Sequence, residues 1–205
     1  MCAIFGSRDK KEFFELAKLN GYRGVHSHSL AYLKDGFLQI VEKDFGPLEE
    51  QDLPENALYI GHQQAPTTDA KDKDSIHPAT YYSAHLWHNG IIKDHQVKQW
   101  QEEDKHNWPW DTMHLAYRLS SKGYDVLSEA DGSFACLYWT GHELNLFRNS
   151  NCPMFISNSS FSSTKFAGAV PILPERVYKY DENQYAWFST KQSFKTKETF
   201  FWSPE

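Results

Sequence analysis

The sequence predicts an α+β domain built in layers, with many short antiparallel strands and about three helices. Three observations carry that expectation. The 205 residues include 7 Trp, 11 Tyr and 14 Phe, and an aromatic content of 16% favours strands. Asp-Gly and Thr-Gly pairs sit between apolar runs, as hairpin turns do. Two other stretches space their apolar residues with a helical period rather than by alternation.

Taken in order, residues 2–7 read as a short opening strand. Phe13, Phe14, Leu16, Ala17 and Leu19 then share one side of a helix that stops before Gly21. Residues 29–33 and 37–41 flank Lys34-Asp35-Gly36, a hairpin with Asp-Gly at its turn. Residues 47–56 form a polar loop, and residues 57–62 resume as a strand. The charged stretch 69–74 reads as a solvated loop. Residues 81–87 form a strand ending at His88-Asn89-Gly90. Residues 111–121 form a helix with Met113, Leu115, Ala116 and Leu119 inward and Gly123 as its stop. Residues 134–139 and 143–147 make a second hairpin around Thr140-Gly141. Residues 155–157, 165–169, 176–180 and 185–188 continue as short strands. No repeat, low-complexity block or linker divides the chain, so residues 1–205 read as one domain.

Composition narrows the function. The formal charge is -6 and Lys and Arg form no basic stripe, so nucleic acid is not an expected partner. A mean hydropathy of -0.66 and the lack of an 18-residue apolar run leave no membrane-spanning helix to expect. Arg8, Asp9, Lys10 and Lys11 break up any secretion signal. Cys2, Cys136 and Cys152 are odd in number and widely spaced, which is no disulfide framework and points to a cytoplasmic protein. Among ten histidines, His26 and His28 stand two apart and His85 and His88 three apart. No third and fourth ligand completes a zinc spacing, so neither a metal nor another cofactor is expected.

Cys2 is the candidate nucleophile. Once Met1 is removed, its α-amino group can act as general base for its own thiol. The two groups have ordinary pKa values of about 7.7–8 and about 8.5, so proton transfer between them is nearly balanced. Cys2 can equally be a small apolar residue opening a buried strand. Three more segments stand out: Gly61-His62-Gln63-Gln64-Ala65-Pro66-Thr67-Thr68, His77-Pro78 leading to His88-Asn89-Gly90-Ile91-Ile92, and Asp111-Thr112 at a helix start.

With Cys2 these segments give a chain that resembles the class II glutamine amidotransferases. Those are the N-terminal-nucleophile glutaminase domains of glucosamine-6-phosphate synthase, amidophosphoribosyltransferase and asparagine synthetase. Met-Cys-Ala-Ile-Phe-Gly is similar to the family's Met-Cys-Gly-Ile-Phe-Gly opening, with Ala3 for Gly. Tyr22-Arg23-Gly24 followed by Ser27, Gly132-Ser133-Phe134-Ala135, and Arg148-Asn149 ahead of Cys152-Pro153 follow the family's later motifs in the same order. The resemblance runs from residue 2 to about 168.

The resemblance implies a four-layer αββα sandwich, two antiparallel sheets stacked between helices. It implies that Cys2 attacks the side-chain amide of glutamine, releasing ammonia and then glutamate. It assigns the oxyanion hole to the Asn89 side chain and the Gly90 N–H, the substrate's α-ammonium to Asp111, and an ordering role beside the nucleophile to Arg23. Thr67 and His62 fall in its substrate-binding segment. Each has a plainer alternative: Asn89-Gly90 as a turn, Asp111 as a helix cap, Arg23 as a surface residue. One departure is chemical. Where the family has an arginine that forks the α-carboxylate, this chain has Gln64, and a neutral amide cannot reproduce a bidentate charged bond. Either glutamine binds weakly here or the substrate is a related amide without that carboxylate. A fold kept only as a binding or regulatory module is the remaining alternative. The family's enzymes carry an acceptor domain beyond this one, so any ammonia acceptor is expected on a separate subunit.

Overall fold

The computed structural model describes residues 2–65 and 73–197. Met1, Pro66, Thr67, Thr68 and most of the charged loop lie outside them. The chain opens with β1 (Ala3–Ser7), α1 (Lys10–Asn20), the hairpin β2 (Ser27–Lys34) and β3 (Phe37–Phe45), and β4 (Leu58–Gln64). There follow β5 (Ala79–Tyr81), β6 (Ala84–Ile92), α2 (Asp94–Asp104), α3 (Asp111–Lys122), β7 (Gly132–Trp139) and β8 (Leu144–Arg148). The last strands are β9 (Phe155–Ser157), β10 (Ser160–Ser162), β11 (Val170–Pro171), β12 (Arg176–Asp181) and β13 (Ala186–Ser193). They form a seven-stranded sheet in the order β11-β9-β10-β1-β4-β2-β3 and a six-stranded sheet in the order β13-β12-β8-β7-β6-β5.

Three apolar clusters mark the interfaces between four layers. Phe13, Phe14, Leu16 and Ala17 of α1 pack on Ala3, Phe5, Leu30 and Tyr59 of the first sheet. The other face of that sheet, with Ile4, Ala31, Leu58 and Ile60, packs on Trp87, Ala135, Leu137 and Leu146 of the second. The second sheet's outer face, with Leu86, Phe134, Cys136 and Tyr138, meets Leu115, Ala116 and Leu119 of α3 and Trp100 of α2. A strand buried on both faces has no polar side to show, which is why residues 134–139 of β7 read as an unbroken apolar run. This is the expected αββα sandwich.

Local signals account for the ends of several elements. Asp9 caps α1, its carboxylate accepting from Glu12 N at 2.7 Å. Asp35 and Gly36, with φ of 52° and 77°, make the β2–β3 turn. Helix α2 buries only Gln96 and Trp100, too weak an apolar stripe to announce itself. It is fastened by the fully buried Arg118 of α3. That guanidinium donates to Asp104 at 2.6 and 2.9 Å and to Glu103 at 2.5 Å, and lies 5.0 Å from the Trp100 ring centroid.

Three expectations need correction. Residues 81–87 are not one strand: the chain turns at Tyr82 (φ 51°), ending β5 and starting β6. β6 then continues through His88-Asn89-Gly90, with Asn89 opposite Ala135 and Gly90 opposite Phe134, so this Asn-Gly is not a turn. Pairing with β7 overrides the local turn preference. Residues 165–169 are not a strand but a turn, closed by Ala169 N donating to Phe166 O. The strand beside β1 is instead the polar Ser160–Ser162. Its hydroxyls are satisfied inside the protein, Ser160 by Glu12 at 2.6 Å and Ser162 by Asn20 at 2.8 Å.

Candidate active site

The start of β1, the ends of β4 and β6, and the first turn of α3 converge on a cavity of about 230 Å³. Its wall includes Cys2, Gln64, His77, Gly90, Trp110 and Asp111. A wider depression of about 840 Å³ beside α1 holds no nucleophile, and its charges pair among themselves, as Lys18 does with Glu50 at 2.9 Å.

Cys2 is partly buried, its Sγ 3.8 Å from the Ala65 carbonyl oxygen. Burial raises its thiol above the ordinary value, the Asp111 charge adds to that shift, and the Arg23 charge opposes it. Arg23 stands in the single turn after α1, nearly buried, and its Nε donates to the Cys2 carbonyl at 2.9 Å. It lies behind the nucleophile and not on the cavity wall.

Gly90 has φ 148°, and a Cβ there would overlap the Ser133 carbonyl. Only glycine lets the backbone pass this point on the cavity wall. Asn89, the residue before it, is not part of the wall. Its Nδ2 donates to Ser163 Oγ at 3.3 Å. That same oxygen accepts from Ile4 N at 3.0 Å, while Ser163 N donates to Ile4 O at 2.8 Å. Ser163 thus ties Asn89 to β1 two residues from Cys2. Nothing in the sequence marks Ser163.

Asp111 opens α3 rather than capping it, since Trp110 holds the cap position. Its carboxylate accepts from Thr112 N at 2.7 Å and from Ile92 N at 2.9 Å, joining the helix start to the end of β6. The side chain remains a quarter exposed, towards the cavity.

Behind Gln64 stands a group of buried histidines. Gln64 Oε1 is 3.1 Å from His77 Nδ1, and His77 Nε2 is 3.2 Å from Thr112 Oγ1. His88 contacts the same hydroxyl through Nδ1 at 3.1 Å, and its Nε2 is 3.3 Å from Ser133 O. With Gln64 Oε1 as acceptor, His77 carries a proton on Nδ1. His62 is fully buried, its ring 4.2 Å from that of His77, and it does not line the cavity. Neither of its nitrogens meets a partner at hydrogen-bonding geometry. Burial pushes its imidazole down to about 3, with the His88 backbone opposing. Burial also holds His77 well below its ordinary value, and the neighbouring His62 adds to the shift. His77 and His88 stood in the sequence as motif markers without a role. Thr112 was noted beside Asp111, and Trp110 carried no signal.

Thr67 lies outside the described residues. Among those residues no group of three or more His, Cys, Asp or Glu is placed to hold a metal ion. None of their helices is long and apolar enough to cross a membrane.

No protein-family model matches the chain, and no curated protein sequence does. Solved structures do match. The chain is similar to the glutamine phosphoribosylpyrophosphate amidotransferase from B. subtilis complexed with ADP and GMP. The match covers 92% of this chain and 49% of that one, with a TM-score of 0.68 and 17% identity. It is also similar to a structure described as the allosteric regulatory enzyme of purine biosynthesis, over 92% of this chain and 48% of that one, with a TM-score of 0.67 and 17% identity. The chain spans about half the length of each. At this identity the likeness establishes architecture alone: the protein shares the αββα fold of these two structures.

Proposed function

We propose that the chain is an amidohydrolase of the class II glutamine amidotransferase kind, with Cys2 attacking a side-chain carboxamide such as that of glutamine. The observation that supports this reading is the convergence of Cys2, Gly90 and Asp111, from three separate elements, on one cavity. With Met1 removed, the Cys2 α-amine takes the thiol proton and Sγ bonds to the amide carbon. The carbonyl oxygen becomes an oxyanion, received by the Gly90 N–H and by the Asn89 amide hydrogen not directed at Ser163. The C–N bond then breaks, and ammonia leaves with the proton held by the α-ammonium. Water adds to the thioester, the C–S bond breaks, and a carboxylate and the thiol result.

The other assignments are positional. Asp111 receives the substrate's ammonium. Arg23 fixes the Cys2 backbone and offsets part of the burial that disfavours a thiolate. Gln64 meets the far end of the substrate, with His77 and then His62 behind it, and the family pattern adds Thr67. Ammonia is released or passed to an acceptor on a separate subunit, in a cytoplasm where Cys2, Cys136 and Cys152 stay reduced.

The test is ammonia release from glutamine by the native protein, with intact mass measured on the same sample. Mass should show the chain starting at Cys2, and Cys2→Ser should lose turnover. Met1 retained in full on active protein removes the amine-base mechanism, and undiminished turnover by Cys2→Ala removes the nucleophile.

A further inference from the structure

The charge of the cavity does not suit free glutamine. Its described lining contains no Lys or Arg, while Asp94 and Asp111 both contribute carboxylates. Glutamine carries its ammonium and its carboxylate on one carbon. Drawing the ammonium to Asp111 therefore brings the carboxylate into the same acidic surroundings, with no Lys or Arg among the described lining residues to offset it. Arg23 is behind the nucleophile on the Cys2 carbonyl. His77 adds no charge, because burial holds it well below its ordinary value. The two His88 nitrogens are already against Thr112 and Ser133.

Gln64 is committed as well. Its Oε1 faces His77 Nδ1 at 3.1 Å, which leaves its amide N–H groups as what it can offer to a ligand. Neutral donors suit a neutral carbonyl oxygen. Trp108 and Trp110 extend the wall with aromatic surface, which suits an ammonium or the groups beyond that carbonyl.

We infer that the substrate is a carboxyl-masked glutamine: it keeps its α-ammonium for Asp111 but presents its α-carboxyl as an amide carbonyl to Gln64, as does a glutaminyl residue at the amino terminus of a peptide. This rests on the amidohydrolase reading above and names its substrate class.

The experiment measures ammonia release by the full chain from L-glutamine, L-glutamine α-amide, glutaminyl-glycine and N-acetylglutamine α-amide. Both masked substrates that keep the ammonium should exceed free glutamine in kcat/KM by roughly 10-fold or more, mainly through KM. N-acetylation should remove that advantage. Glutaminyl-glycine outpacing the α-amide extends the site into a peptide, and equal rates confine it to the masked amino acid; both support the inference. Gln64→Arg should reverse the preference, lowering KM for free glutamine by roughly 10-fold. Ammonia released preferentially from free glutamine by the parent enzyme overturns the inference and leaves the amidohydrolase standing. Ammonia released from none of the four overturns both.

Discussion

Acidifying the protein from pH 7 to 5.5 should destabilise it by about 1.3 kcal/mol through His62 alone, with His77 adding to the loss in the same direction. His62 in the unfolded chain has an ordinary pKa of about 6.5. In the folded protein burial takes it to about 3, and His77 shifts in the same direction. Between these values the unfolded state binds more protons than the folded state. Stability is therefore complete above the unfolded value and falls as pH drops below it, by about 1.4 kcal/mol per unit per histidine, until the folded value is reached. Integrated from pH 7 to 5.5, His62 contributes about 1.3 kcal/mol, a sizeable share of a typical 5–15 kcal/mol total. The window is chosen to lie above the carboxylates. Asp44, hydrogen-bonded by Lys73, and Glu103, hydrogen-bonded by Arg118, are both held below their usual range and titrate lower still. Urea unfolding at pH 7, 6.5, 6 and 5.5 reads the effect directly. His62→Gln, neutral at every pH, should reduce the loss between pH 7 and 5.5 by about 1.3 kcal/mol whatever its own stability. A midpoint that does not move between pH 7 and 5.5, or an unchanged slope in His62→Gln, would show that these imidazoles are not buried uncharged.

Cys2→Ser should abolish turnover while Cys136→Ala leaves it near the parent value, because Cys136 is fully buried and burial raises its thiol well above the ordinary value; assays of both variants check this. Asn89→Ala should lower kcat by roughly 100- to 1000-fold if its amide serves the oxyanion. Ser163→Ala, which frees that amide and also removes the acceptor of the Ile4 N–H, should lower kcat by roughly 10-fold or more with KM little changed. Unaltered kcat in Asn89→Ala, measured per folded molecule, would remove it from the mechanism. Since burial raises the Cys2 thiol, kcat/KM should climb as pH rises above 7, and a profile that falls over that range would contradict a thiol awaiting deprotonation.

The order of elements was legible wherever a face was apolar or a turn had its required residue, as at α1, the Asp35-Gly36 hairpin and β7. What escaped was polar structure satisfied from a distance. Ser160–Ser162 carries the composition of a loop, and only Glu12 and Asn20, far away in sequence, make it a buried strand. Helix α2 depends on Arg118, a charge that a sequence reading assigns to the surface. The site divides along the same line. Cys2, Gln64, Gly90 and Asp111 could be picked out because their types and order carry chemistry. Ser163 and the stacking of His62 on His77 exist only after the sheets close, and Asn89-Gly90 was legible as a pair but not as the middle of a strand.

The attachment of α2 has a consequence for how the protein can diversify. Asn89 and Gly90 belong to a strand wedged between packed layers and Cys2 leads directly into another, where almost any exchange disturbs a neighbour. Asp94, Val97 and Gln101 reach the cavity from a helix moored by one indole and one guanidinium. The two sides of the cavity thus differ in tolerance. Changes along the outer helix can redraw what the cavity admits while the strands behind it stay as they are.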